Sequence, residues 1–149
     1  MIAWRVCQVR HRPYDGMGAQ LYGARWNSAG RSVIYAADSF AGAILELLAH
    51  ALRPRTLPGP HHAVRIEIPD AAIETLAAEQ LPGWSVKGSP SARAFGDRWI
   101  VEARTPVLVV PAVPSQPIGR TVLINTAHPG AGKIVVSRPF VVPWDERFF

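Results

Sequence analysis

The sequence predicts one α+β domain with mixed, largely antiparallel sheets and a few helices. Three observations predict it. Strand-like runs outnumber helical ones, they follow one another without strict strand–helix alternation, and 149 residues that are 48% hydrophobic suffice for one core. A chain of this length buries roughly 68–70% of its unfolded surface, so residues 1–149 are expected to fold as one domain without staples.

Residues 2–9, IAWRVCQV, alternate as a strand does, with Trp4, Val6 and Gln8 on one face. Residues 15–30, DGMGAQLYGARWNSAG, are glycine-rich and polar, which is loop chemistry. SVIYAA, 32–37, is a short apolar strand. A helix is predicted over 39–52, with Ser39 or Asp38 as its N-cap and Pro54 as its stop. HAVRIEI, 62–68, alternates again and ends at Pro69-Asp70. Residues 70–81 read as a short helix closed by Pro82-Gly83, and 89–103 as a longer one despite Gly96. PVLVVPAVP, 106–114, TVLIN, 121–125, and KIVVSRPFVV, 133–142, complete the strands, with a turn over 127–133.

The formal charge is +5 and the pI about 10.1. Lys87 and Lys133 are the only lysines, so nearly all the positive charge is arginine, whose planar fork of donors suits phosphate. An anionic partner is implied: nucleic acid, a phosphorylated small molecule or an acidic protein. Cys7 is the only cysteine, which excludes an internal disulfide and a thiolate cluster. The five histidines have no metal-ligand spacing, so no metal site is expected. No signal-peptide pattern and no membrane-length apolar run is present, and the expected location is cytoplasmic.

The helix SFAGAILELLAHAL, 39–52, is nearly all apolar, and its polar residues are the informative ones. At about 100° per residue, Glu46 and His50 fall about 20° to either side of Ser39, so all three share one narrow face. A helix apolar on its other faces is expected to be buried, and a buried carboxylate needs a reason. Either Glu46 pairs with a core arginine while His50 caps a carbonyl, or the stripe lines a pocket where a glutamate stabilises a cation or moves a proton. The preceding stretch, YGARWNSAGRSVIYAADS, adds Arg25 as an anion clamp and Tyr35 as a ring near the helix start. Arg31 is a second, more exposed cation. Asn125 and His128 border the pocket or simply bond their own turn.

The segment GARWNSAGRSVIYAADSFAGAILELLAH resembles the signature of the RES-domain family of bacterial toxins. The matching pieces are Arg25-Trp26-Asn27, Tyr35-Ala36-Ala37, and Glu46 with His50; GDRW, 96–99, VVPAVPSQPI, 109–118, LINTAHP, 123–129, and RPFVVPWDERFF follow in family order. The resemblance implies a fold related to the ADP-ribosyltransferase toxins and NAD⁺ consumed as a substrate, with no separate cofactor. It implies cleavage of the nicotinamide–ribose bond, by hydrolysis or phosphorolysis, or else ADP-ribosylation of a protein acceptor. In that picture Arg25 holds the pyrophosphate, Tyr35 stacks on nicotinamide, Glu46 stabilises the cationic ribose, and Ser115 completes the hydrogen bonds around it. Ser39, His50 and Asn125 would help to bind NAD⁺. An Xre-type antitoxin would cover the pocket.

GAGK, 130–133, is not a phosphate loop, because Ala127 and Ile134 stand where that motif needs glycine and a hydroxyl. A non-catalytic basic module for nucleic acid or protein is the alternative of another class. No helix-turn-helix or RNA-binding motif accompanies it, and no direct DNA contact is expected.

Overall fold

The computed structural model describes residues 1–50 and 59–149. Three α-helices and one eight-stranded sheet form its frame. In chain order these are β1 (Ile2–Gln8), α1 (Met17–Tyr22), β2 (Ile34–Ala37), α2 (Phe40–Ala49), β3 (His61–Glu67), β4 (Ile73–Thr75), α3 (Pro90–Val101), β5 (Val107–Pro111), β6 (Arg120–Ile124), β7 (Val135–Val136) and β8 (Phe140–Val141). The strand order is β4-β5-β6-β2-β1-β3-β7, with β8 also on β3. Only β4–β5 is parallel. The α+β class with a largely antiparallel sheet is what the strand-rich, non-alternating sequence predicted. Among the described residues no helix is long and apolar enough to cross a membrane.

Alternation along the central strands feeds two cores. Ile34, Ala36, Val107, Val109, Val122 and Ile124 join Ala3, Val64 and Ile66 on one face. Leu108, Val110 and Leu123 join Trp26, Val33, Trp84 and Trp99 on the other. β5 is buried at all five positions because both of its faces are covered, which is why it reads as an unbroken apolar run. α3 closes the second core with Ala92 and Trp99, both fully buried; the Trp99 indole donates to Thr105 Oγ1 at 3.0 Å.

Four expectations need correction. Residues 70–81 are not a helix. Two short 3₁₀ turns, Asp70–Ala72 and Ala78–Gln80, flank β4, which pairs with Val107–Val109, and Leu76 N–H then donates to the Val109 carbonyl. So short a stretch is a marginal helix, and the open edge of β5 offers it a ladder instead. The stretch 15–30 contains α1, started where the Asp15 carboxylate accepts from Met17 N–H. The strand over 133–142 is two fragments, both on β3, interrupted at Ser137–Pro139. There Ser137 Oγ accepts from Arg65 N–H in place of a backbone partner, and Pro139 has no N–H to offer. Finally, α2 is not buried all round: Ala43 is its only buried residue, and Leu45 is 41% exposed. Its predicted continuation to residue 52 and its stop at Pro54 lie outside the described residues.

Gly96 explains how a glycine fits mid-helix. A β-carbon there would run into the Trp26 carbonyl, so α3 can approach that carbonyl this closely only with glycine at the position. Gly96→Ala is expected to lower stability by about 1–3 kcal/mol, as overpacking does, and to push the loop off α3. The denaturant midpoint, with the denaturant slope unchanged, checks this.

Candidate active site

The 22–31 loop is organised from within. Asn27 is fully buried, and its Nδ2 donates to the carbonyls of Ala19 (3.0 Å), Ser28 (3.0 Å) and Arg31 (3.2 Å). Its Oδ1 accepts from the Tyr35 hydroxyl at 2.6 Å, and that hydroxyl accepts from Trp26 N–H at 3.1 Å. From α3, Asp97 accepts from Ser28 N–H (2.8 Å) and Ser28 Oγ, and pairs with Arg31 Nε at 3.2 Å. Arg31 is thus a structural cation. Arg25 is held by its Nη1, which donates to the carbonyls of Trp84 (2.9 Å) and Val86 (2.7 Å).

Beside this loop lies a cavity of about 740 Å³, lined by Arg25, Tyr35, Glu46, His50 and Ser115 among others. These residues come from the loop, β2, α2 and the Val113–Ser115 turn after β5. The cavity opens over the face of the sheet that carries Tyr35 and, through the registers Tyr35↔Leu123 and Trp4↔Ala37, also Trp4. β1 and β2 pair only at that last position, and Arg5 fills the gap between them. It donates to the Tyr35 carbonyl at 2.8 Å and to the Asp15 carbonyl at 3.2 Å, while its Nε is buried without a partner. Burial lowers the Arg5 pKa, against the smaller opposing effects of Cys7 and Asp15.

α2 presents Gly42, Ala43, Glu46, Leu47 and His50 to the cavity, positions three and four apart on one face. Glu46 is where the stripe placed it, but the reason offered for it needs correcting. Its side chain is 42% exposed at the mouth of a cavity, not enclosed in a core. Among the described residues no arginine pairs with it. His50 Nδ1 sits 2.8 Å from the Glu46 carbonyl and 3.8 Å from its carboxylate, at the helix end.

Two of the residues expected at the site are not brought to it. Ser39 precedes the helix in extended conformation, so the helical projection does not extend to it; its Oγ accepts from Gly42 N–H at 2.9 Å as a cap. Asn125 follows β6 at the end away from Thr121, about 13 Å along the strand, and its Oδ1 accepts from Ala127 N–H. His128 accepts from Gly130 N–H in its own turn, and its Nε2 lies 3.0 Å from the Ala103 carbonyl beyond the end of α3. Sequence reasoning in turn missed Arg5, Arg93 and Arg120, which also line the cavity. Arg5 hid inside a strand pattern and Arg93 inside a helix pattern. Arg120 opens β6 and donates to the carbonyls of Pro117, Ile118 and Gly119. Glu46 is the one carboxylate among the lining residues, against four arginines. The arrangement can hold an anionic ligand with an aromatic ring on its floor and one acidic group at its edge.

Fold and site together describe a small α+β domain with an arginine-lined cavity over a split sheet. The RES domain model matches residues 2–145, and the chain belongs to the RES domain family. The Prs ADP-ribosylating toxin of Sphingobium sp. (strain YBL2) is 41% identical over 140 residues, which cover 86% of this chain and 84% of that one. Toxin Res of Pseudomonas putida is 33% identical over 150 residues, covering both chains completely. The crystal structure of the M. tuberculosis MbcT-MbcA toxin-antitoxin complex contains a chain of the same fold, with a TM-score of 0.71 at 18% identity, covering 95% of this chain and 83% of the other.

Burial raises the Tyr35 pKa, outweighing the Trp26 hydrogen bond. A phenol held above its unfolded pKa keeps its proton while the unfolded chain loses one. Its contribution to stability is therefore full below about pH 10 and is lost as pH rises beyond it. Tyr35→Phe should flatten part of this alkaline loss. It should also cost about 1–3 kcal/mol at neutral pH, because Asn27 Oδ1 is left buried without its donor. Urea unfolding between pH 7 and 11 reads both effects.

Proposed function

We propose that this protein is the toxin of a toxin–antitoxin pair and that it consumes NAD⁺ by breaking the nicotinamide–ribose bond. The observation that carries this is the convergence of Arg25, Tyr35, Glu46 and Ser115 on one cavity from four separate parts of the chain. Its volume lies within the range of about 300–1,000 Å³ usual for small-molecule sites. A dinucleotide brings a diphosphate to a wall of arginines and an aromatic base to a tyrosine ring.

As the bond between nicotinamide and the ribose C1′ breaks, the electron pair leaves with the base and the ribose becomes an oxocarbenium-like cation. Glu46 stabilises that cation, or aligns a ribose hydroxyl next to it. Arg25, fixed by two carbonyls, anchors the diphosphate so that the ribose meets the carboxylate. Tyr35 offers its ring to the nicotinamide while its hydroxyl remains tied to Asn27. Ser115 and His50 complete the hydrogen bonding at the sugar. A nucleophile then attacks C1′: water, phosphate or a protein side chain.

ADP-ribosyl transfer to a protein acceptor is the second reading, favoured by the name of the Sphingobium relative, an ADP-ribosylating toxin. The partner would be an antitoxin of the Xre type that covers the cavity. The toxin–antitoxin complex that contains the structural neighbour supports a protein partner.

Incubation of the purified protein with NAD⁺, alone, with phosphate and with cell lysate, distinguishes the outcomes by product: ADP-ribose, ADP-ribose 1-phosphate or a labelled protein. Intact NAD⁺ in all three would sink the proposal. Glu46→Gln should retain NAD⁺ affinity and lower kcat by roughly 100-fold or more, whereas Arg25→Ala should chiefly raise KM, by about tenfold or more. Initial rates across NAD⁺ concentrations check both.

A further inference from the structure

We propose that Arg93 is the second half of a two-arginine clamp, closing on a diphosphate against Arg25. The proposal rests on the dinucleotide reading for the ligand's identity, but not for the anion chemistry.

Arg93 lies in the first turns of α3 and lines the same cavity as Arg25. It is exposed, and among the described residues its side chain makes no hydrogen bond and no ion pair, so its guanidinium is available to a ligand. Its direction is set by its helix. Arg93 stands four residues before Asp97, on the same side of α3 and one turn nearer the N-terminus. Asp97 grips Ser28 and Arg31, and Gly96 lies flush against the Trp26 carbonyl. That side of α3 therefore faces the 25–31 loop, and Arg93 extends along it toward the cavity.

Arg25 meets it from the other side. Its Nη1 is fixed on the carbonyls of Trp84 and Val86, in the segment that runs through Gly88 into the Ser89 cap of α3. Gly88 lines the cavity as well. Both side chains line the cavity that Tyr35 lines, and their charges act on its phenol, although burial dominates there. Two forks on one cavity, one anchored and one free, match two linked phosphates better than a single monoanion. The anchored fork orients the ligand. The free one closes after entry.

The test is calorimetric titration of the full chain with ADP-ribose, inorganic pyrophosphate and nicotinamide, for the wild type and for Arg93→Ala, Arg93→Gln and Arg93→Lys. Removing one charge-assisted contact should weaken ADP-ribose and pyrophosphate by about tenfold or more, and Lys should restore part of it. Nicotinamide, which carries no phosphate, should bind unchanged. In turnover, KM for NAD⁺ should rise with kcat preserved. Unchanged pyrophosphate affinity in Arg93→Ala overturns the clamp, as does equal weakening of nicotinamide, which would make Arg93 structural. A wild type that does not bind pyrophosphate overturns it too. The two proposals fail separately. Arg93-dependent pyrophosphate binding with intact NAD⁺ keeps the clamp and removes the NAD⁺ reading; NAD⁺ turnover with unaltered KM in Arg93→Ala does the reverse.

Discussion

The buried amide of Asn27 is the constraint from which the site is built. A side-chain amide has two N–H donors and one carbonyl, and here each is engaged by a protein group. The donors bind carbonyls of α1 and of both ends of its own turn, and the acceptor takes the Tyr35 hydroxyl. One residue thereby ties α1, the loop and β2 together. Arg25 and Trp26 precede it directly, so their positions follow from its own. Loss of any partner would leave a polar atom buried and unpaired, at a cost of about 1–3 kcal/mol. The loop is therefore stiff although it is rich in glycine.

The cavity exists because the sheet is divided. β1 and β3 pair at seven positions and β2 and β6 at four, but β1 and β2 meet at one. Arg5 holds the gap by hydrogen bonds to carbonyls instead of a ladder. α2 rests over β1 and β2, and α3 packs on the same face further along, over β5 and β6. The space between the two helices, floored by Tyr35 and Trp4, is where a ligand can enter. The depth of the site thus comes from incomplete strand pairing, a property of the assembled sheet.

That origin explains how much was legible in the sequence. Arg25, Tyr35, Glu46 and His50 stood out because they occupy a loop, a strand end and a helix face with recognisable patterns, and Ser115 came from the family resemblance. The strand-rich fold class followed from alternation and proline punctuation. What escaped depended on contacts between distant segments. Nothing local to residues 70–81 reveals that β5 has an open edge there. The helical projection included Ser39, yet a cap residue is not helical, and its hydroxyl serves the backbone. For Glu46 the apolar helix left a core ion pair and a pocket lining both open, and the cavity that shares its surface with solvent corresponds to the second. Arg5, Arg93 and Arg120 carry no local mark that they converge on it.

Among the described residues, the arginines with side-chain partners fall into two groups by what holds them. Away from the cavity, Arg31, Arg65, Arg104 and Arg147 pair with carboxylates. At the cavity, Arg5, Arg25 and Arg120 are fixed by backbone carbonyls. A carboxylate would orient a guanidinium and also cancel its charge. A carbonyl orients it and leaves the charge intact, so the potential of the cavity remains positive and its low-dielectric walls focus it on whatever enters. The arrangement has a cost, because partly desolvated like charges repel and Arg5 is held below its ordinary pKa by burial. Such local instability is tolerable where a ligand's own anion completes the pairing, and it is out of place in a purely structural core. Glu46 is set apart as the one acid beside four arginines among the described lining residues, and on the proposed reading it serves a ligand atom that turns positive.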